Sequence, residues 1–442
     1  MRKNINKIVA IGIGLTIMSG SIIPVFAEET TENNKNISTS ISTNESNSIV
    51  LGDSIINKQT SSAKQILTLD KIITAAIDNS DRLNLKIKEK NMYGDKMDLQ
   101  ETTDDFYDSI GRKVYDYAYD KLELQEKQTD QSKEFMEDQI ANNITNKYNA
   151  VILKEIDINK LKTNLEIKTK DFNTIKTKVS IGLATSNQLN DSEIEIKKLQ
   201  DDIKAKEDSL KNNMDYLGVL TNLNLSDYTL DPNIDYETLK IDGSVDEYLN
   251  NKIDTYLKYN DEIVALTKDY FKELKDDDKN DLKNYLPTKP DTSSDSFNTT
   301  NNTTGEKTFN TEDYALAYVD YIQQYLTGIS SYASYLEGRY SIAEAQVKLD
   351  ESKKSLKNGL KESYSALLDL ENKITRLKED IKSTNTKLRD AKTKVDIGMM
   401  TENAYKAQVL KSQDLDTSLR NLINTYNTLK NSIEKPWILS SN

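Results

Sequence analysis

The chain has 442 residues, 36% hydrophobic and 30% charged, with a formal net charge of −13. It contains neither cysteine nor histidine, which excludes disulfide staples, thiolate chemistry, histidine-based triads and the common zinc sites. The acidic excess disfavours nucleic acid and anionic lipid as partners of the bulk surface.

Residues 1–27 read as an export signal, with Arg2, Lys3 and Lys7 ahead of an apolar core from Ile8 to Met18 and Val25-Phe26-Ala27 as the cleavage site. Without those three basic residues the net charge falls to about −16. Residues 28–66 are rich in Ser, Thr and Asn and read as a disordered leader. Order is expected to begin at Thr68, an N-cap with Asp70 at the positive helix end, followed by the apolar face of Ile72, Ile73, Ala76 and Ile77. In 101–130, Tyr115, Tyr117 and Tyr119 alternate like a strand, but the surrounding Asp, Lys and Glu favour helix, and helix is the expectation.

The next stretch carries an apolar residue at every seventh position: Ile144, Val151, Ile158, Leu165, Phe172 and Val179. That period is a coiled-coil seam, a narrow stripe on an otherwise solvated helix. Gly182 can supply the left-handed conformation that closes a helix, and Thr185 with Gln188 forms a capping box for the next one. The seam resumes at Leu189, Ile196, Ile203, Leu210 and Leu217. This first helical half, 67–220, is therefore expected to end in a long hairpin with a tight elbow. Residues 221–244, with Pro232 and Gly243, read as a crossover linker.

A second helical half is expected over 245–434. It contains a polar stretch, 276–310, that reads as a flexible insertion. Tyr314, Tyr318, Tyr321, Tyr325, Tyr332 and Tyr335 then share one helix face, read as a packing seam rather than a ligand or membrane belt. The second hairpin repeats the first at an offset of 216 residues. Leu360, Leu367, Ile374, Ile381, Leu388 and Val395 form its seam, Gly398 its elbow and Thr401 its N-cap. Two tandem copies define a duplicated all-α fold of long coiled-coil helical hairpins.

No catalytic constellation is present in the sequence. The fourteen glycines are dispersed rather than gathered into a phosphate loop, and carboxylates are expected on solvated helices when a chain holds 72 acids. The expectation is no enzyme, no cofactor and no metal. A thin hairpin cannot bury both its stripes alone, which points to lateral association of copies around a ring.

In the order of its parts the chain resembles the TolC-like outer-membrane efflux proteins. The resemblance lies in the entry segment Leu67-Thr68-Leu69-Asp70 through Leu83 and its faint second copy at Tyr259-Asn260-Asp261. The elbow Ile181-Gly182-Leu183-Ala184-Thr185 and its partner Ile397-Gly398-Met399 carry it further. The resemblance covers roughly 66–434. It implies a homo-oligomer, a trimer, whose duplicated halves form a helical α-barrel. Ile181, Gly182, Leu183, Ile397, Gly398 and Met399 would then dock a membrane-fusion adaptor coupled to an inner-membrane pump, with no role for nucleic acid. The implied place is the cell envelope or its outer face. Two features depart from the family. Gln188 and Ala404 stand where an acidic residue often follows each elbow, and neither 101–130 nor 276–310 offers the alternating strands of a membrane β-barrel. The alternative is a cell-envelope coiled-coil scaffold or adhesin-like protein with no transport role.

Overall fold

The computed structural model describes residues 64–300, 305 and 307–440. The export signal and the leader up to residue 63 lie outside them. Seven α-helices carry the described residues: α1 Leu69–Asp78, α2 Asp81–Ser109, α3 Tyr117–Ser180, α4 Ser186–Thr221, α5 Val245–Asp276, α6 Thr311–Asp396 and α7 Glu402–Glu434. Four three-residue strands accompany them: β1 Gln65–Leu67, β2 Tyr228–Leu230, β3 Asn298–Thr300 and β4 Lys307–Phe309. The fold is the all-α, duplicated hairpin architecture expected, with α3–α4 and α6–α7 as the two long hairpins. No described helix is long and apolar enough to cross a membrane.

The chain divides into two compact units. The larger holds both elbows, with 130–256 and 356–440 at its centre. Its core gathers Ile72 and Ala76 of α1, Ile144, Tyr148, Val151 and Ile152 of α3, and Leu217 of α4. The crossover adds Leu225 and Leu230 to that core. Strand β1 pairs parallel with β2, Gln65 opposite Tyr228 and Leu67 opposite Leu230. The buried Tyr148 hydroxyl bonds the carbonyls of Asp231 at 2.8 Å and Leu67 at 3.2 Å, clasping both strands to α3. Asn79, just past α1, donates to the Val219 and Leu220 carbonyls at the end of α4. The sequence reading leaves Gln65 and Ile66 in the leader; here they are strand residues, because β2 offers backbone partners more than 160 residues downstream.

The seven-residue seams are buried as their period requires, most deeply far from the elbows. Ile144, Val151, Ile158, Leu360, Leu367 and Ile374 are buried, while Leu165, Phe172, Val179, Ile381, Leu388 and Val395 are half-buried. Ion pairs flank them: Lys206 with Asp157 and Lys168 with Glu195 join α3 to α4. Beyond α7, the Trp437 ring stacks on Phe135 at 4.2 Å and its indole N–H bonds Asp138 at 2.8 Å, fastening the chain end to α3.

Three groups in this unit are costly to bury. Arg420 is 2% exposed and donates to the Pro232 carbonyl, but its Nε and other terminal nitrogen have no protein partner. Burial pushes the carboxyls of Glu155 and Asp416 above their ordinary values of 4.5 and 3.8. A raised folded-state value means that the folded chain binds the proton more tightly than the unfolded one. Those two groups therefore add stability as pH falls from neutrality, and the gain is complete only below their ordinary values. Glu155→Gln is expected to raise the melting temperature at pH 7 and to flatten its rise on mild acidification. Thermal unfolding across pH 4–8 reads both.

The smaller unit comprises 90–129 and 257–355. The sequence predicts one helix over 101–130, and the structure breaks it at 110–116. The break is a Schellman motif: the Arg112 N–H bonds the Tyr107 carbonyl, the Gly111 N–H bonds that of Asp108, and Gly111 takes φ +69°. The helix then restarts at Tyr117, so α3 begins well before the seam. Tyr117 stacks on Tyr270 of α5 at 4.1 Å, and Phe271 of α5 meets Tyr335 of α6.

Within the stretch read as a flexible insertion, Tyr285, Phe297 and Phe309 lie against α6. Tyr285 approaches Gly328 so closely that a Cβ there would sit 2.2 Å from the Tyr285 carbonyl oxygen. Tyr285 also faces Tyr332, and Phe297 and Phe309 both pack on Tyr314. The tyrosine face of α6 therefore packs on this segment at Tyr314 and Tyr332, while Tyr318 and Tyr325 stay 36% exposed. Gly328→Ala is expected to lift the segment: trypsin should cut at Lys283 at least about tenfold faster, with helical content unchanged, since overpacking costs about 1–3 kcal/mol.

Candidate functional site

The two elbows are built alike. At the end of α3 the Leu183 N–H bonds the Lys178 carbonyl at 2.7 Å and the Gly182 N–H bonds that of Val179 at 3.1 Å. At the end of α6 the Met399 N–H bonds Lys394 at 2.8 Å and the Gly398 N–H bonds Val395 at 2.9 Å. Both are Schellman closures, which need a left-handed residue; Gly182 has φ +76° and Gly398 φ +75°. Nothing lies within 4 Å of a Cβ built at either glycine, so backbone conformation alone selects glycine there.

The next helix starts at once. Thr185 accepts from the Gln188 N–H while the Gln188 side chain accepts from the Thr185 N–H at 2.9 Å, a complete capping box. Thr401 accepts from the Ala404 N–H at 3.2 Å, and with alanine at that position no reciprocal bond forms. Gln188 therefore acts as a cap, and neither elbow places a carboxylate at that position.

This closure turns apolar side chains outward. Leu183 is 73% and Met399 75% exposed, and Ile181 and Ile397 are each 63% exposed. In an ordinary Schellman motif the residue after the glycine packs back on the last turn. Here four large apolar groups stand in solvent at two hairpin tips.

The structure also fixes the level of the tips. Helices α3 and α7 run antiparallel in one unbroken register: Asn149 bonds Asn424, Lys160 pairs with Asp414, and Asn403 bonds Asp171 at 2.6 Å. Each step along α3 is matched by one back along α7. Both elbows therefore lie at the same end of this unit. Gly182 comes eleven residues after Asp171 and Gly398 five before Asn403. Counted on helix alone, α3 runs nine residues past Asp171 and α7 begins one before Asn403, so at about 1.5 Å per residue α3 reaches about 12 Å beyond the start of α7. The link from Asn403 to Asp171 has no sequence signature, since it depends on that register.

A cavity of 510 Å³ lies between α3, α4 and α7, lined by Asp157, Lys160, Lys206 and Asp414 among others. Those four charges are already matched as Lys206–Asp157 and Lys160–Asp414. Among the described residues no cluster of carboxylates could hold a metal ion.

No sequence family and no curated relative matches the chain. Several solved structures are similar to it at low identity. One is the transmembrane-channel protein CusC, with 10% identity, a TM-score of 0.47, and 84% of this chain and 91% of that one covered. The Campylobacter jejuni outer-membrane channel CmeC shares 13% identity at a TM-score of 0.46, over 92% and 94% of the two chains. The Vibrio cholerae outer-membrane protein VceC shares 10% at 0.47, over 84% and 95%.

Proposed function

We propose that the chain is one subunit of an exported, ring-shaped efflux or secretion conduit, a divergent TolC-like protein, and that its two elbows are where it docks. The observation that carries this reading is the pair of elbows itself. Two Schellman closures at one end of a continuous helical register each display two exposed apolar side chains, with no partner among the described residues. A purely structural turn would bury or replace them with polar residues. Exposed apolar anchors at helix ends suit a helical partner that inserts between them.

On this reading Ile181, Gly182, Leu183, Ile397, Gly398 and Met399 receive the hairpin of a membrane-fusion adaptor, which couples the ring to an inner-membrane pump. The half-buried seams near the tips would be completed by neighbouring copies, three to a ring. The first helical half, 67–220, and the second, 245–434, would each contribute one hairpin to the wall.

The test has two arms. The mass of the mature chain in solution should be that of a trimer; a stable monomer would refute ring closure. A photo-crosslinking residue at Leu183 or Met399, in cells, should capture a protein with a helical hairpin between β-rich halves. The same probe at Lys211, on the solvated side of α4, should not. Equal capture at both positions removes the docking assignment.

A further inference from the structure

The 510 Å³ groove between α3, α4 and α7 has no part in docking or ring closure. Cross-links bound it at both ends of the α3–α7 pair. At one end Lys160 pairs with Asp414; at the other Lys406 pairs with Glu166, and Asn403 bonds Asp171. Between them Leu161 and Ile167 of α3 and Ala407 and Leu410 of α7 give the groove an apolar floor. Counting back from the Asn403–Asp171 bond, Ala407 stands level with Ile167, and its single methyl group leaves the groove open where a longer side chain would close it.

Two polar groups on this groove are uncommitted. The Asn164 amide and the Lys411 ammonium, side by side in the same register, make no hydrogen bond or ion pair with another described residue. The lining as a whole holds four lysines against three aspartates, a local cationic excess on a chain whose net charge is −13.

We propose that the groove binds a small amphipathic organic anion: one apolar body bearing a single carboxylate or sulfonate. The head accepts from Lys411 and Asn164 in charge-assisted bonds, and the body covers Ala407, Ile167 and Leu410. Size and charge select this class. The volume lies within the about 300–1,000 Å³ of small-molecule sites, whereas two turns of a helix about 10 Å across need more room. A cation meets the wrong local sign, and a wholly apolar molecule would desolvate the Lys411 ammonium without giving it a partner. The ligand touches both hairpins, since Asn164 belongs to the first and Lys411 to the second, so binding braces α3 against α7. This inference needs neither the elbows nor ring closure.

Decanoate is the probe, with decyltrimethylammonium as the cation of matched chain length and the full mature chain as host. Calorimetry is expected to show one saturable decanoate site per chain, and decanoate should raise the melting temperature. Lys411→Glu, which breaks no contact in the free protein, should weaken binding at least about tenfold. Ala407→Trp, which fills the floor, should abolish it, and both variants should keep the helical far-ultraviolet spectrum. Equal binding of cation and anion overturns the proposal, as does decanoate binding that survives both substitutions or the lack of a saturable site. Leu183→Asp with Met399→Asp should leave decanoate binding unchanged, so failure of the docking reading and failure of this one are separable.

Discussion

Leu183→Asp combined with Met399→Asp is expected to abolish adaptor docking while leaving the fold intact. The two side chains are the most exposed apolar groups at the elbows, and neither contributes to the core. Exposed substitutions of this kind change stability by about 0.5 kcal/mol or less. A charge forced into a desolvated contact costs far more, and losing two anchors of about 2 kcal/mol each would weaken association at least ~100-fold. The measurement pairs a binding titration against the adaptor with urea unfolding of the free chain. Lost binding at unchanged stability supports the docking assignment. Unchanged binding refutes it, and a parallel drop in both would mean that the elbows are structural.

Tyr148→Ala should cost about 3–5 kcal/mol, the loss typical of deleting a fully buried ring. Tyr148 is 1% exposed, and its hydroxyl is the clasp that ties the β1–β2 pair to α3. Tyr148→Phe keeps the ring and removes the clasp, at about 1–2 kcal/mol. The duplication supplies an internal control. Tyr364 is the counterpart 216 residues on, but it is only half-buried, and among the described residues no strand pair is clasped by it. Tyr364→Ala is therefore expected to cost less than half as much. Chemical denaturation of the three variants separates these outcomes, and equal losses at 148 and 364 would show that the two halves share one environment.

Much of this architecture was legible in the sequence because it follows from a period. Twelve apolar positions seven residues apart, two glycines and two following threonines specify two hairpins, and the helix ends fall beside Gly182 and Gly398 where the pattern places them. Short or long-range features were not legible. Strands of three residues carry no periodicity, so β1 and β2 cannot be seen until each has the other. The break at 110–116 turns on Gly111 alone, hidden in a stretch whose composition favours helix. The fixing of the 276–310 segment depends on Gly328, which reads in sequence as an ordinary helical glycine and functions as the flat spot for the Tyr285 carbonyl. At the elbows, residue types predicted the caps and the turn; the outward display of Leu183 and Met399 required the closure geometry itself.

The difference in reach between the two hairpins has a consequence for whatever binds them. A ring of three such chains would carry a notched rim, long teeth from the first hairpin alternating with short ones from the second. A mating collar made of identical subunits could engage such an edge only by offering contacts at two heights, or by seating every other subunit differently. Pairwise symmetry in the chain's history would then have become asymmetry in its grip.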